Sequence, residues 1–187
     1  TLINRLIYQF GARFASKQRL MDIKKNDLYN NMKVDSLTRN IAIATTSFPK
    51  FVCVHLSLPH HPYFFDSNGN ETPVDSLTDQ FTMNKKAYIE YLQYSNNKLT
   101  ALIDFIKKHS SRPAVIMLLA DHGFRQFVEN VDKKYHFMTM NAVYFPDSNY
   151  AAFYDGMSNV NQFRVTLNTI FGQQLPLLKD STIFLTE

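Results

Sequence analysis

One cysteine, no tryptophan and only five glycines occur in 187 residues. Cys53 sits inside the apolar run Phe51-Val52-Cys53-Val54. A single cysteine excludes a disulfide framework, and in that setting it reads as a small buried hydrophobe. The scarcity of glycine leaves few sharp turns. No apolar run reaches the roughly 20 residues that a membrane helix needs, and no segment has the layout of a signal peptide. The first residue is Thr1 and not Met, so the chain reads as a processed product or a piece of a longer protein. A strong charge imbalance is also missing, the formal net charge being +4. The basic residues cluster only as the pairs Lys24-Lys25, Lys85-Lys86, Lys107-Lys108 and Lys133-Lys134. A nucleic-acid groove needs a longer cluster, so nucleic acid is not an expected partner. Repeats and low-complexity segments are absent.

What is present is aromatic: sixteen Phe and ten Tyr, within an apolar fraction of 45% and a charged fraction of 19%. That composition is globular, and the length suits one domain with a sizeable core. Residues 1–46 read as a helical lead-in. Leu2, Ile3, Leu6, Ile7, Phe10 and Phe14 make one apolar stripe. Lys17 to Val34 reads as a polar helix plus surface loop. Asp35-Ser36-Leu37 can cap a further short helix through Thr45, which Pro49 ends.

Three strands are expected. Residues 51–56, apolar apart from His55, read as a buried strand, with His55 a hydrogen-bonded core histidine. Ser57-Leu58-Pro59-His60-His61-Pro62 follows, where the prolines hold the backbone extended and display His60 and His61 on a stiff loop. Ser67-Asn68-Gly69-Asn70 is a turn, and residues 66–82 read as a loop over the strand ends. Asn84 to His109 is the clearest helix, with Tyr88, Tyr91, Leu92, Leu99, Leu102, Ile103 and Ile106 mostly on one face. Residues 114–119 form an apolar run ending in Asp121-His122-Gly123, the pattern of a central parallel strand buried on both faces. A mixed excursion over 124–135 leads to His136 and a third strand over 141–145. Asn159 begins a helix through Phe171 that Gly172 closes. Leu175-Pro176-Leu177-Leu178-Lys179-Asp180 is an extended tail.

Strand, helix and strand over 51–119 predict a right-handed βαβ unit in an α/β fold. Ligands of such sheets sit at the carboxyl ends of the strands. That rule places Asp121 and His122 on a strand tip, where Gly123 lets the backbone turn. It places the His60 loop at the same edge. A carboxylate beside an imidazole is half of a metal site, since a divalent ion takes three or four ligands. On its own, the dipeptide reads somewhat better as a strand-end Asp that caps the next turn beside a hydrogen-bonded His.

His55-Leu56-Ser57-Leu58-Pro59-His60-His61-Pro62-Tyr63, the Tyr-rich helix and Ala120-Asp121-His122-Gly123 together resemble the sulfatase-like branch of the alkaline phosphatase superfamily. The closest likeness is to membrane-anchored phosphoethanolamine and glycerol-phosphate (lipoteichoic acid synthase type) transferases of bacteria. It covers roughly residues 50–185 and corresponds to the carboxyl-terminal half of that catalytic domain. The implied fold is a three-layer sandwich around a largely parallel sheet, present as a partial domain over 1–187. Residues 1–46 would lead in, and 50–187 would carry the metal ligands and anion pocket.

By this resemblance Asp121 and His122 are paired metal ligands. His60 matches the substrate-binding histidine of a His-x-Pro loop, and His136 a further histidine facing the transferred group. The last match is looser, because Phe124 stands where the family usually has Glu and no Gly follows His136. His61 reads as an exposed loop histidine. The implied cofactor is a divalent metal, zinc first, with manganese, magnesium or calcium as alternatives. The implied substrate is a phosphate or sulfate ester, lipid or glycan linked, attacked by a metal-activated Thr, Ser or formylglycine. No Cys-x-Pro-x-Arg or Ser-x-Pro-x-Arg signature occurs, and Thr45-Thr46 do not follow a strand. The nucleophile is therefore expected upstream, in a protein held at the extracytoplasmic face by helices outside this chain. The chain alone is expected to be inactive. His60, Asp121, His122 and His136 are expected to converge, with His60 within roughly 10 Å of the pair, room for a metal and one anion. Two other readings stand beside this one: a non-catalytic α/β binding domain with a degenerate metal site, and a small α/β protein whose Asp-His-Gly is coincidental.

Overall fold

The computed structural model describes residues 17–73, 76–77, 84–124 and 132–183. The stripe from Leu2 to Phe14 lies outside them, as do parts of the 66–82 loop and most of the 124–135 excursion. The chain divides into two compact units, the first running to Ser111 and the second opening at Arg112.

In the first unit a helix over Lys17–Ile43 (α1) runs unbroken through the loop and second start that the sequence suggested. Asp35 is no cap: its carboxylate takes Arg39 Nε at 2.8 Å and Nη2 at 3.2 Å, one turn on. This i,i+4 pair supports the helix where a break was expected. The second helix, Lys85–His109 (α2), is as expected. Asn84 caps it by accepting from Ala87 N, and Lys107, Lys108 and His109 lie in its last turn, where the helix dipole favours cations.

α1 and α2 pack together, and the Arg39 guanidinium lies 4.7 Å from the Phe105 ring centre. Tyr63, Phe64 and Tyr91 are the buried centre, surrounded by Leu28, Leu58, Phe65, Tyr88 and Tyr94. Tyr91 and Tyr94 stack with centroids 5.9 Å apart, and Phe64 meets Tyr91 edge-on. The stripe that marks α2 as amphipathic thus docks onto the residues just after the His-His-Pro loop. Lys24 is buried in this unit, and its Nζ donates to Glu71 Oε2 and to the Thr72 carbonyl, both at 3.0 Å.

Residues 51–56 are not a strand. They form no regular element and no strand pairing among the described residues, Phe51 is 83% exposed, and Cys53 and His55 are also exposed. Both the buried-cysteine reading and the core-histidine reading are corrected. An apolar run expresses a tendency to be buried, but a strand also needs a neighbour's N–H and C=O groups. Among the described residues none is offered to 51–56.

The second unit holds the only sheet among the described residues: Ile116–Leu119 (β1) and Asn141–Tyr144 (β2). They pair antiparallel, Ile116 opposite Tyr144 and Leu119 opposite Asn141. The secondary structure is therefore mixed helix and strand, but the parallel-sheet sandwich and the parallel pairing of 51–56 with 114–119 are corrected. β1 is also less buried than its apolar run implied, with Leu119 45% exposed. A two-stranded ribbon covers less of a strand than a central position does. A third helix, Asn159–Phe171 (α3), has the expected span and closes at Gly172 in the left-handed conformation (φ 61°), while its capping residue is Ser158. Phe145 and Val165 are buried in this unit, with Tyr150 and Phe153 edge-on to Phe145.

Candidate functional site

Asp121 and His122 stand just past β1, on a backbone tied from two sides. Ala120 N donates to Met140 O at 3.0 Å, and Ala120 O accepts from Asn159 Nδ2 at 2.8 Å. The first residue of α3 thus holds the strand end.

The pair is locally organised. His122 N donates to Asp121 Oδ1 at 3.0 Å, which orients the carboxylate. His122 Nδ1 lies 2.7 Å from the Gly123 carbonyl oxygen, which can only accept, so Nδ1 carries the hydrogen. In the neutral ring this leaves the Nε2 lone pair available, the arrangement usual for a metal-ligating histidine. Nε2 lies 3.6 Å from Asp121 Oδ2. Ligand bonds of about 2.1 Å at a tetrahedral angle would place N and O about 3.4 Å apart. The pair therefore fits two corners of a metal's coordination shell. Among the described residues no third His, Cys, Asp or Glu completes a ligand cluster with them.

Gly123 acts differently from its sequence reading. It is not among the glycines with positive φ. Its N–H donates to the His136 carbonyl at 2.8 Å, and an added Cβ would overlap the Tyr135 carbonyl oxygen. The glycine is needed because another piece of backbone crosses directly over it. That piece is a short 3-10 turn, Lys133–His136, capped by Asp132 accepting from Lys134 N at 2.9 Å. His136 is brought back beside the strand tip by this contact.

Asp121, His122 and His136 line one cleft of about 1050 Å³, together with Tyr154, Asp155, Ser158, Asn159, Gln162 and Asp180. Of these the sequence reading had singled out only the first three. Gln162 is 2% exposed and, like Asn159, has a side-chain carbonyl oxygen without a hydrogen-bond partner in the described structure. Both positions were visible only as the first turn of a helix.

Asp180 is the most strongly held carboxylate here. Oδ1 accepts from Ser158 N and Asn161 Nδ2, each at 2.8 Å, and Oδ2 from the Tyr154 hydroxyl at 2.6 Å. The Tyr154 hydroxyl, then the Ser158 donors, hold its pKa down to about 2. Tyr154 is pushed up in turn, chiefly because its proton is shared with Asp180.

His60 belongs to the first unit, exposed, with Nδ1 directed at the His61 carbonyl. Pro59 and Pro62 follow cis peptide bonds. Pro62, Tyr63 and Phe64 are buried, so the loop is anchored on its far side. Burial pushes the Asp27 carboxyl up, while His60 acts on it in the opposite direction. The structure thus groups three of the four expected site residues in one cleft, and His60 is described apart from them.

Neither a protein-family model, nor a curated protein, nor a solved structure matches this chain.

Proposed function

We propose that the chain is the metal-ligand and anion-pocket part of a sulfatase-like hydrolase or phosphoryl-group transferase, whose nucleophile lies outside these residues. The observation that carries the reading is the Asp121–His122 pair, with Nδ1 committed to a carbonyl, Nε2 3.6 Å from Oδ2, and His136 on the same cleft.

Asp121 and His122 would hold a divalent metal, zinc first, and such an ion supplies Lewis acidity toward an ester oxygen. His136 would donate to an oxygen of the transferred phosphate or sulfate. The Gly123 carbonyl fixes the His122 tautomer, so the metal-facing nitrogen needs no rearrangement. The substrate is a phosphate or sulfate ester, lipid or glycan linked, met at the extracytoplasmic face of a bacterial membrane.

The test uses the full-length protein, with bound metal measured alongside ester turnover. Asp121→Ala should lose both. His136→Ala should cut turnover while leaving bound metal nearly unchanged. Full metal content in Asp121→Ala would remove the metal site from this cleft, and a non-catalytic binding domain would then be the better description.

A further inference from the structure

The tail beyond α3 is held by an unusual set of contacts. Asn168 Oδ1 accepts from Leu175 N at 2.8 Å, and its Nδ2 donates to Leu175 O at 3.0 Å. Seven residues earlier, Asn161 repeats the pattern on Leu178: Oδ1 takes the N–H at 2.9 Å and Nδ2 gives to the carbonyl at 2.7 Å. Between them Arg164 Nη1 donates to Pro176 O at 2.9 Å.

A side-chain amide carries one acceptor and a donor, as a peptide group does, so each Asn stands in for a residue of a neighbouring strand. The spacing fits as well. Seven helical residues rise about 10.5 Å, and three extended residues cover about 10 Å. The tail runs back toward the amino end of α3. There Asp180 meets the Ser158 N–H, the Asn161 amide and the Tyr154 hydroxyl. Asn161 has no exposed surface, so one end of this rail is built into the unit's interior. Just past Asp180, residues Ser181, Thr182 and Ile183 line the cleft that Asp121, His122 and His136 also line.

We infer that residues 175–183 form a strap that builds one wall of the Asp121–His122 cleft, anchored on α3 by Asn168 and Asn161 and locked by Asp180 against Tyr154. Asn161, Asp180 and Tyr154 are positioning residues: they act on the cleft by fixing where Ser181 and Thr182 stand. This holds whatever chemistry the cleft performs, and it requires no metal.

The two ends of the strap make different predictions, which separates this role from general stability. The 187-residue chain is measured by amide hydrogen exchange, with the His122 and His136 ring signals as reporters of the cleft. In the wild type, Leu175 and Leu178 amides should exchange roughly tenfold or more slowly than in a free chain, as closed structure requires. Asn168→Ala should speed exchange at Leu175 and leave the ring signals in place, because the lock still holds. Asp180→Asn and Tyr154→Phe should instead shift the ring signals and speed exchange from Leu178 onward, with Leu175 still protected. Cross-strand contacts between β1 and β2 verify that each variant is folded, and a variant that fails this check is replaced by the other lock variant. Free-chain exchange at Leu175 and Leu178 in the wild type would overturn the strap. Unmoved ring signals in both lock variants would overturn its hold on the cleft.

Discussion

At the residue scale, Gly123 and Asp180 decide the most. Gly123 has a neighbouring carbonyl where a side chain would begin, so Gly123→Ala must displace the 133–136 turn. A cost of about 1–3 kcal/mol is expected, as for other overpacked sites. Denaturant unfolding of the variant measures it, and the His136 ring signal should move in the folded protein. An unchanged midpoint would mean that the turn is not pressed against Gly123. Asp180 contributes to the pH dependence of stability. Its folded pKa is depressed, so its contribution to stability is complete above the unfolded carboxylate pKa of about 3.9. That contribution fades as pH falls toward about 2. NMR titration of its carboxyl carbon should show a midpoint near 2, and Tyr154→Phe should raise it, since the Tyr154 hydroxyl is the largest cause. A midpoint near the unfolded value would show that the lock is open in solution.

At the scale of elements, the two capped helices behave as their sequences suggest. Asn84→Ala and Ser158→Ala each remove a side-chain oxygen that accepts from a first-turn N–H. Each should cost about 1 kcal/mol of stability by chemical denaturation. Ser158→Ala should also loosen Asp180, because the Ser158 side chain is among the donors that hold it. The 51–56 segment is the opposite case. Phe51, Val52 and Val54 are exposed with no strand paired to them among the described residues, and Cys53 is exposed too. Cys53 should therefore react with a thiol reagent in the native 187-residue chain at close to the rate of a free cysteine. If the proposed larger fold adds a strand against 51–56, the same thiol should be protected in the full-length protein. Slow reaction in the 187-residue chain would mean that the segment is covered after all.

At the scale of the whole molecule, the chain supplies two of the proposed metal's ligands, Asp121 and His122. Two metal ligands cannot fill a tetrahedral shell. The purified chain should accordingly bind zinc weakly by calorimetry and show no turnover of aryl phosphate or aryl sulfate. Robust metal-dependent hydrolysis by these residues alone would place the nucleophile inside the chain and overturn the proposed division of the site.

The helices were legible from local information. α2 and α3 announce themselves through apolar spacing, a capping Asn or Ser and, for α3, a closing Gly, all set by neighbours within one or two turns. α1 was half legible, because Asp35 serves a cap or an i,i+4 pair equally well and only Arg39, once helical, decides between them. The strands were legible as apolar runs but not as a sheet. Pairing partner and direction depend on distant backbone, so β1 could be foreseen but its antiparallel union with β2 could not. In the site, Asp121 and His122 were visible because neighbouring ligand types at the end of an apolar run carry their own signal. Asn161, Tyr154 and Asp180 were not, since an asparagine on a helix and an aspartate in a tail are ordinary until the chain folds one against the other. The sequence by itself determined which segments coil and where ligating side chains lie along the chain, because those follow from short-range sterics and chemistry. Only the tertiary structure decided that the turn at His136 presses on Gly123 and that the tail returns to α3, because both rest on backbone groups meeting across gaps in sequence that no local pattern records.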